Sequence, residues 1–292
     1  MTRHATRLET ISVDVPEDAL EAWEAAIAAV CGTVDFFRDE AAETWRVSGV
    51  KQAGEKEAEL ATAMALASAA TGIAPTLHRE DVPAEGWLAR TRSAFPEQLV
   101  GRRLALRGTH VEDPPTPGRI TLLLDAGVAF GSGEHGSTRG CLLALEDLAH
   151  LRPRRILDLG TGSGVLAMAA ARLLHRKVFA TDIEPWSVRT TRENAALNRL
   201  GTEVRAVRAD GWRDARVRRG APYDLVFANI LARPLCLMAR DLSAHLAPGG
   251  RAILAGLLNT QVRMVLAAHR RVGLRLAATY RQGNWAALVL RK

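Results

Sequence analysis

Cysteine, paired histidine and long apolar runs are all scarce in this 292-residue chain, and each scarcity removes a class of protein. The three cysteines, Cys31, Cys141 and Cys236, are too dispersed for a metal knuckle or a disulfide framework, which fits a reducing compartment. None of the eight histidines pairs with another at ligand spacing, so no metal site is expected. No apolar run approaches the ~18 residues that span a bilayer. The start, Met1-Thr-Arg-His-Ala-Thr-Arg7, shows neither the apolar core nor the cleavage site of a secretory signal. A cytoplasmic protein without membrane contact is expected, and a monomer.

What is present is a globular composition, 48% hydrophobic and 24% charged. The length suits a catalytic domain of roughly 180 residues with a smaller partner. The net charge of +7 hides a division: residues 1–80 hold 7 Lys/Arg against 14 Asp/Glu, whereas residues 81–292 hold 32 against 18. An acidic module of balance −7 therefore precedes a basic one of +14.

Periodicity divides the chain in the same way. Residues 9–15 alternate as a strand, Pro16–Val30 read as a helix and Thr33–Arg38 as a strand. A strand at Trp45–Lys51, an alanine-rich helix at Glu55–Ala70 and a strand at Ala74–Arg79 follow. Two β-α-β halves predict a ferredoxin-like α+β domain over 1–80. Prolines 83, 96, 114, 115 and 117 break any long element in 81–118, which reads as a structured linker carrying Trp87, Leu88 and Phe95. From 119 to 292 strands at 156–159, 178–181, 203–208, 225–228 and 251–255 alternate with helices at 164–174, 186–198, 234–245 and 260–271. Such alternation demands a mostly parallel sheet covered on both faces. Leu274–Tyr280 and Trp285–Leu290, joined by Arg-Gln-Gly-Asn, add a hairpin, giving a seven-stranded Rossmann-like α/β domain.

The chemistry concentrates in three segments. In Ile156-Leu-Asp-Leu-Gly160-Thr-Gly162-Ser-Gly164 an apolar strand runs into three glycines and then a helix, a turn that lets backbone approach a ligand closely. A dinucleotide enzyme would use the same turn for pyrophosphate. Asp182 ends the next strand 22 positions after Gly160, near the spacing at which an acid accepts from ribose hydroxyls. Asp210, after the following strand, reads either as an acceptor for an adenine amino group or as a turn residue. Asp158 beside the glycines would repel a pyrophosphate. It either orders the loop or binds the ammonium of an amino-acid-bearing cofactor, which tilts the choice toward S-adenosylmethionine.

The second segment, Asp125-Ala-Gly127-Val-Ala-Phe130-Gly131-Ser-Gly133-Glu-His135-Gly136-Ser-Thr138-Arg-Gly140, packs five glycines into 14 positions and must be a loop that leads into a helix near Ser137. Ser137 or Thr138 is either its N-cap or an acceptor for the cofactor ammonium, and His135 is either a turn residue or a substrate contact. The third, Asp224-Leu-Val-Phe-Ala-Asn229-Ile-Leu-Ala232-Arg-Pro234, puts Asn229 at the carboxyl end of the fourth strand, where open α/β sheets hold their ligands. Methyltransferases acting on nitrogen often carry a polar residue here. As a cap for a helix starting near Pro234, Asn229 stands too far away.

Together, Ala129-Phe-Gly-Ser-Gly-Glu-His-Gly-Ser-Thr138, Leu157-Asp-Leu-Gly-Thr-Gly-Ser-Gly-Val-Leu-Ala167 and Ala228-Asn-Ile-Leu-Ala232 resemble the PrmA family, which methylates ribosomal protein eleven of the large subunit. The resemblance is near full length and implies an N-terminal ferredoxin-like substrate-recognition domain. It also implies that Thr138, Gly160, Asp182 and Asn229 bind S-adenosylmethionine. To these the reading of the residues adds Phe130, Gly131, Asp158, Gly162 and Asp210 as further cofactor contacts and Asn229 as the catalytic residue. Ala126, Ser132, Gly136 and Ser137 depart mildly from the family's Pro-Gly-x-Ala-Phe-Gly-Thr-Gly-x-His-x-Thr-Thr loop, and Gly108-Thr-His110 lacks an expected aromatic end. The implied acceptor is an amine, a lysine ε-amino group and/or an N-terminal α-amino group, on a basic ribosomal protein. The alternatives are another protein lysine, RNA, or a non-catalytic cofactor-binding assembly factor. Base methyltransferases follow the polar residue with prolines and a stacking aromatic, which Ile230-Leu231 does not offer, so no specific nucleic acid is expected.

Overall fold

The computed structural model describes residues 8–31, 33–39, 44–82, 97–109, 111, 113–124 and 136–292. Two compact units divide the chain, Met1–Thr91 and Arg92–Lys292.

The first unit runs β1 (Leu8–Val15), α1 (Leu20–Ala28), β2 (Thr33–Asp39), β3 (Thr44–Gln52), α2 (Glu57–Thr71) and β4 (His78–Val82). Its strands pair antiparallel in the order β2-β3-β1-β4, the ferredoxin-like arrangement. Ile11, Val13 and Val15 alternate inward along β1 and are fully buried, as are Trp23 and Ile27 of α1. The helix comes so close to β3 that a Cβ on Gly49 would lie 2.8 Å from atoms of Ile27 and Cys31. β4 begins at His78 rather than Ala74, because Pro75 has no amide for the ladder and 73–77 stay irregular.

One ionic cluster ties β1, β3, α2 and β4. The Lys51 ammonium, its side chain 2% exposed, lies 2.7 Å from Glu9 and 2.6 Å from Glu57, and Arg79 reaches the same two carboxylates at 3.2 and 2.6 Å. Burial alone would raise Glu9, but the hydrogen bond and charge of Lys51 and the charge of Arg79 outweigh it and hold the carboxyl below its ordinary range. Glu57, bonded by Arg79 and Lys51, is lowered to about 2. Lowered carboxylates stabilise the fold above their unfolded values near pH ~4.3 and lose that contribution as pH falls through the folded ones. Replacing Lys51 by Met should cost about 3 kcal/mol at pH 7 in denaturant titrations, the low end for a buried pair because Arg79 still faces Glu9. The deficit should shrink between pH 4 and 2; an unchanged midpoint at pH 7 would contradict this role for the cluster.

The second unit opens with a small sheet, β5 (Gln98–Val100), β6 (Leu104–Gly108) and β7 (Ile120–Leu124), in which β6 pairs antiparallel with β5 and parallel with β7. Every residue of β6 is buried, so part of the stretch expected as a linker contributes to the core. After α3 (Gly136–Leu148) come β8 (Ile156–Leu159), α4 (Val165–Leu174), β9 (Val178–Asp182), α5 (Pro185–Leu197), β10 (Val204–Arg208), α6 (Ala215–Arg219) and β11 (Tyr223–Asn229). The chain closes with α7 (Ala232–Leu237), α8 (Ala239–His245), β12 (Leu246–Leu258), α9 (Val262–Arg270), β13 (Arg275–Gln282) and β14 (Trp285–Arg291). The helix expected over 234–245 is thus two shorter ones that meet at Met238.

The seven strands lie in the order β10-β9-β8-β11-β12-β14-β13, parallel from β10 to β12, with β14 antiparallel to both neighbours. This is the expected seven-stranded Rossmann-like sheet. From β8 the chain builds outward to β9 and β10, then returns to place β11 on the other side of β8. Consecutive helices therefore diverge between β8 and β11, and a crevice opens at the carboxyl ends of those two strands.

Candidate active site

Asp158 of β8 stands opposite Phe227 of β11, and Asn229 follows two residues later, so both polar side chains share the face of Phe227. That face carries the cluster to which Cys141, Phe227 and Ile253 belong, whereas Leu157, Val226 and Ala228 join a second cluster on the opposite face. The two polar groups are thus held at the rim of an apolar core.

Gly160, Gly162 and Gly164 all take positive φ, at 71, 54 and 83°, which glycine alone adopts without cost. The turn they form is held from several sides. The Gly160 and Thr161 amides both donate to the Thr181 carbonyl at 2.8 and 3.0 Å, and the Gly164 amide donates to the Thr161 carbonyl at 2.8 Å. The Gly162 amide donates to Asp182 at 2.9 Å. From α5, the Thr191 hydroxyl donates to the Gly162 carbonyl and the Asn194 amide to the Ser163 carbonyl, each at 2.9 Å. A pyrophosphate cradle requires outward-facing amides. Here the amides of 160, 161, 162 and 164 are spent inside the turn, which leaves acceptors to dominate the site.

Those acceptors are buried. Asp158, Ser137 and Thr138 are fully buried and Asn229 is 8% exposed. The Thr161 hydroxyl donates to Asp158 Oδ2 at 2.7 Å, and Asn229 Nδ2 donates to the Thr138 hydroxyl at 3.2 Å. Among the described residues, Asp158 Oδ1, Asn229 Oδ1 and Ser137 Oγ have no hydrogen-bond partner. An uncompensated buried acceptor costs free energy until something donates to it, so this end of the sheet is built for a ligand rich in N–H, O–H or positive charge. Asp182 accepts from the Gly162 and Glu184 amides at 2.9 and 3.0 Å through different oxygens, each keeping a lone pair for a hydroxyl.

Asp210 is exposed beyond β10 and ion-paired to Arg213 at 3.1 Å. Ser137 and Thr138 lie inside α3 rather than before it. Asn229 caps no helix, since Leu231 occupies the N-cap of α7. Phe130, Gly131 and His135, with Trp87 and Phe95 of the expected linker, lie outside the described residues. Three positions escaped the sequence reading. Thr161 bonds Asp158, Ile183 is 52% exposed directly after Asp182, and Gly256 receives the turn after β11. A glycine inside an apolar strand is the signature of a bulge and points to Gly256; the register of β12 against β14 does shift between Leu254 and Leu257.

Burial pushes the Asp158 carboxyl up to about 7, with the Asp182 charge adding and the Thr161 hydrogen bond opposing. Because the folded value exceeds the unfolded ~3.9, the contribution of Asp158 to stability is complete below about pH 4 and is lost as pH rises toward 7. Asp158→Asn should therefore stabilise the ligand-free protein at pH 8 by about 2–4 kcal/mol and change little at pH 4. Thermal melts across pH check this, and a variant that is less stable than the parent at pH 8 would overturn it.

A reversed-order seven-stranded sheet whose switch point offers a braced glycine turn, a following acidic residue and buried acceptors defines a methyltransferase of the Rossmann-like class. A profile of the ribosomal protein L11 methyltransferase (PrmA) family matches residues 18–292. The chain is 46% identical over 226 residues to the ribosomal protein L11 methyltransferase of Bradyrhizobium diazoefficiens, covering 77% of this chain and 76% of that one. It is 40% identical over 253 residues to that of Rhizobium meliloti, covering 86% of each. The crystal structure of a ribosomal protein L11 methylase from Lactobacillus delbrueckii subsp. bulgaricus superposes with a TM-score of 0.61 at 31% identity, over 67% of this chain and 98% of that one. This chain belongs to the PrmA family.

Proposed function

We propose that this methyltransferase transfers methyl groups from S-adenosylmethionine to amines of ribosomal protein L11, lysine ε-amino and/or N-terminal α-amino, acting as a cytoplasmic monomer. The observation that carries the reading is the buried, unpartnered Asn229 Oδ1 at the carboxyl end of β11.

The residues fit the cofactor. Asp158 Oδ1 and Ser137 Oγ are buried acceptors suited to an ammonium, Asp182 has capacity for two ribose hydroxyls, and the exposed Ile183 offers an apolar surface to a base. Gly160, Gly162 and Thr138 shape this end of the crevice, and Phe130, Gly131 and Asp210 are assigned to the same ligand, Asp210 by its place after β10. When bound, S-adenosylmethionine supplies a methyl already activated on a sulfonium, so the chain's task is placement.

Asn229 performs that placement. Its Nδ2 is committed to Thr138, which fixes the amide plane and leaves Oδ1 to accept an N–H from the incoming amine. A carbonyl of the Asn229-Ile230-Leu231-Ala232 turn takes a second hydrogen, aiming the lone pair at the methyl. An α-amine with a pKa near ~8 is substantially neutral at physiological pH, whereas a lysine near ~10.4 is neutral about one part in a thousand, roughly 4 kcal/mol of penalty. The half-buried Ile230 and Leu231 beside Asn229 desolvate the ammonium and offset part of it. The acidic first unit, with Glu17, Asp18 and Glu21 exposed around the start of α1, suits a basic ribosomal protein.

Asn229→Ala should lower kcat by about 100-fold or more, the loss typical of one aligned polar contact in a dry site. Transfer of labelled methyl to purified L11, with ribosomal RNA offered in parallel, reads out both acceptor and rate. Label found only in RNA, or an Asn229→Ala enzyme of normal rate, would overturn the proposal.

A further inference from the structure

The +14 balance of the catalytic half does not complement a basic substrate, and six of its cations share one place in the fold. β8, β9 and β10 are parallel neighbours, so their entering ends share the sheet edge opposite the active site. Arg152, Arg154 and Arg155 precede β8, Arg176 and Lys177 precede β9, and Arg199 precedes β10; all six are exposed. Among the described residues none of the six forms an ion pair with a carboxylate. Beyond the leaving end of β10 the reverse holds, for Arg213 and Arg216 close onto Asp210 and Asp214 at 3.1 and 2.7 Å. Two carboxylates at the basic edge are already used: Asp224 accepts the backbone amides of Arg154 and Arg155, and Glu203 the hydroxyl of Thr202.

A second observation adjoins this edge. Arg199 and Arg172 line a cavity of about 430 Å³ together with Arg107, Thr121 and Asn198. Arg107 is 6% exposed, and its Nη1 has no hydrogen-bond partner among the described residues. The Glu97 carboxylate stands 3.8 Å from it, at the limit of an ion pair. Nη2 of the same guanidinium is held by the Val111 and Asp113 carbonyls, and Arg172 donates to the Asn198 carbonyl. A buried guanidinium whose carboxylate partner is distant thus lines a cavity beside a row of arginines that form no ion pair, and it adds to the positive charge there.

We infer that the edge formed by the entering ends of β8, β9 and β10 is a docking surface for the phosphate backbone of a nucleic acid. Adjacent strand ends lie ~4.8 Å apart, so the row sets six cations across about 10 Å. A phosphodiester strand, with one charge every ~3.4 Å, places about three phosphates over that width, so the row supplies about two cations for each of them. The cations are arginine in five of the six positions, and the planar guanidinium fork pairs with phosphate bidentately where an ammonium cannot. Contact is to backbone and independent of base sequence, and it leaves the acceptor end of the sheet free. The surface is also independent of which amine is methylated.

Fluorescence anisotropy of the full chain with a labelled 20-nucleotide single-stranded RNA, and with DNA of the same sequence, tests the surface between 50 and 200 mM NaCl. Binding should weaken with salt at a log–log slope of about −2, as expected for roughly three phosphates on a single strand. The Arg152→Gln/Arg154→Gln/Arg176→Gln variant should bind at least about tenfold more weakly at 50 mM NaCl and flatten the slope by about 1. Its S-adenosylmethionine affinity and melting profile should stay unchanged. Arg213→Gln/Arg216→Gln should bind as the parent does. Tighter binding of RNA than of DNA identifies RNA as the source, and equal binding identifies the phosphodiester chain in general; both support the surface. A triple variant that binds like the parent overturns it. So does poly-glutamate that displaces the probe as well as unlabelled RNA does at equal charge, which would assign the edge to an acidic protein.

Discussion

The catalytic end of this molecule depends on the seat of Ile230. Its side chain lies where a Cβ on Gly160 would be, 2.4 Å from Ile230 Cγ2, and its backbone fills the space over Gly256, 2.5 Å from the Ile230 carbonyl oxygen. Its amide closes the turn by donating to Ala255 at 3.1 Å. Three strand ends, of β8, β11 and β12, are thereby locked to one residue, and two glycines with positive φ are the condition for it. Larger side chains at either glycine would lift the turn and with it Asn229. The bond from Asn229 to Thr138 then carries the same constraint to α3.

From this constraint the chemistry follows. The glycine turn spends its amides internally, so the site lacks the donors that an anion would require and is left with acceptors facing a crevice. Charge complementarity separates a methyl donor bearing an ammonium and a sulfonium from a dinucleotide more sharply than the glycine pattern, which both share.

Much of the second unit was legible because buried parallel strands are short apolar runs ended by glycine or polar residues, as at Ile156–Leu159 and Val178–Asp182. The hairpin was legible from its Gly283-Asn284 turn. The prolines at 96, 114, 115 and 117 concealed β5, β6 and β7, since they interrupt the strand–helix alternation by which the later strands are read. The continuous pattern over 234–245 hid the interruption at Met238, which backbone geometry and not amphipathicity decides. In the site, Asp158, Gly160, Asp182 and Asn229 stand out by position along their strands. Gly256 and Thr161 matter through what they touch, Ile230 in one case and a buried carboxyl in the other, and such pairings are set by the fold. The charge division was visible as a count, but the gathering of six of its cations at one sheet edge needed the strand order.

The central claim is that the crevice between β8 and β11 holds the methyl donor against Asn229. A crystal structure with bound S-adenosylhomocysteine tests it most directly. The account predicts the ribose hydroxyls on Asp182, the amino-acid end near Asp158 and Ser137, and the sulfur facing Asn229. A ligand seated elsewhere, or one whose sulfur points away from the turn after β11, would contradict it.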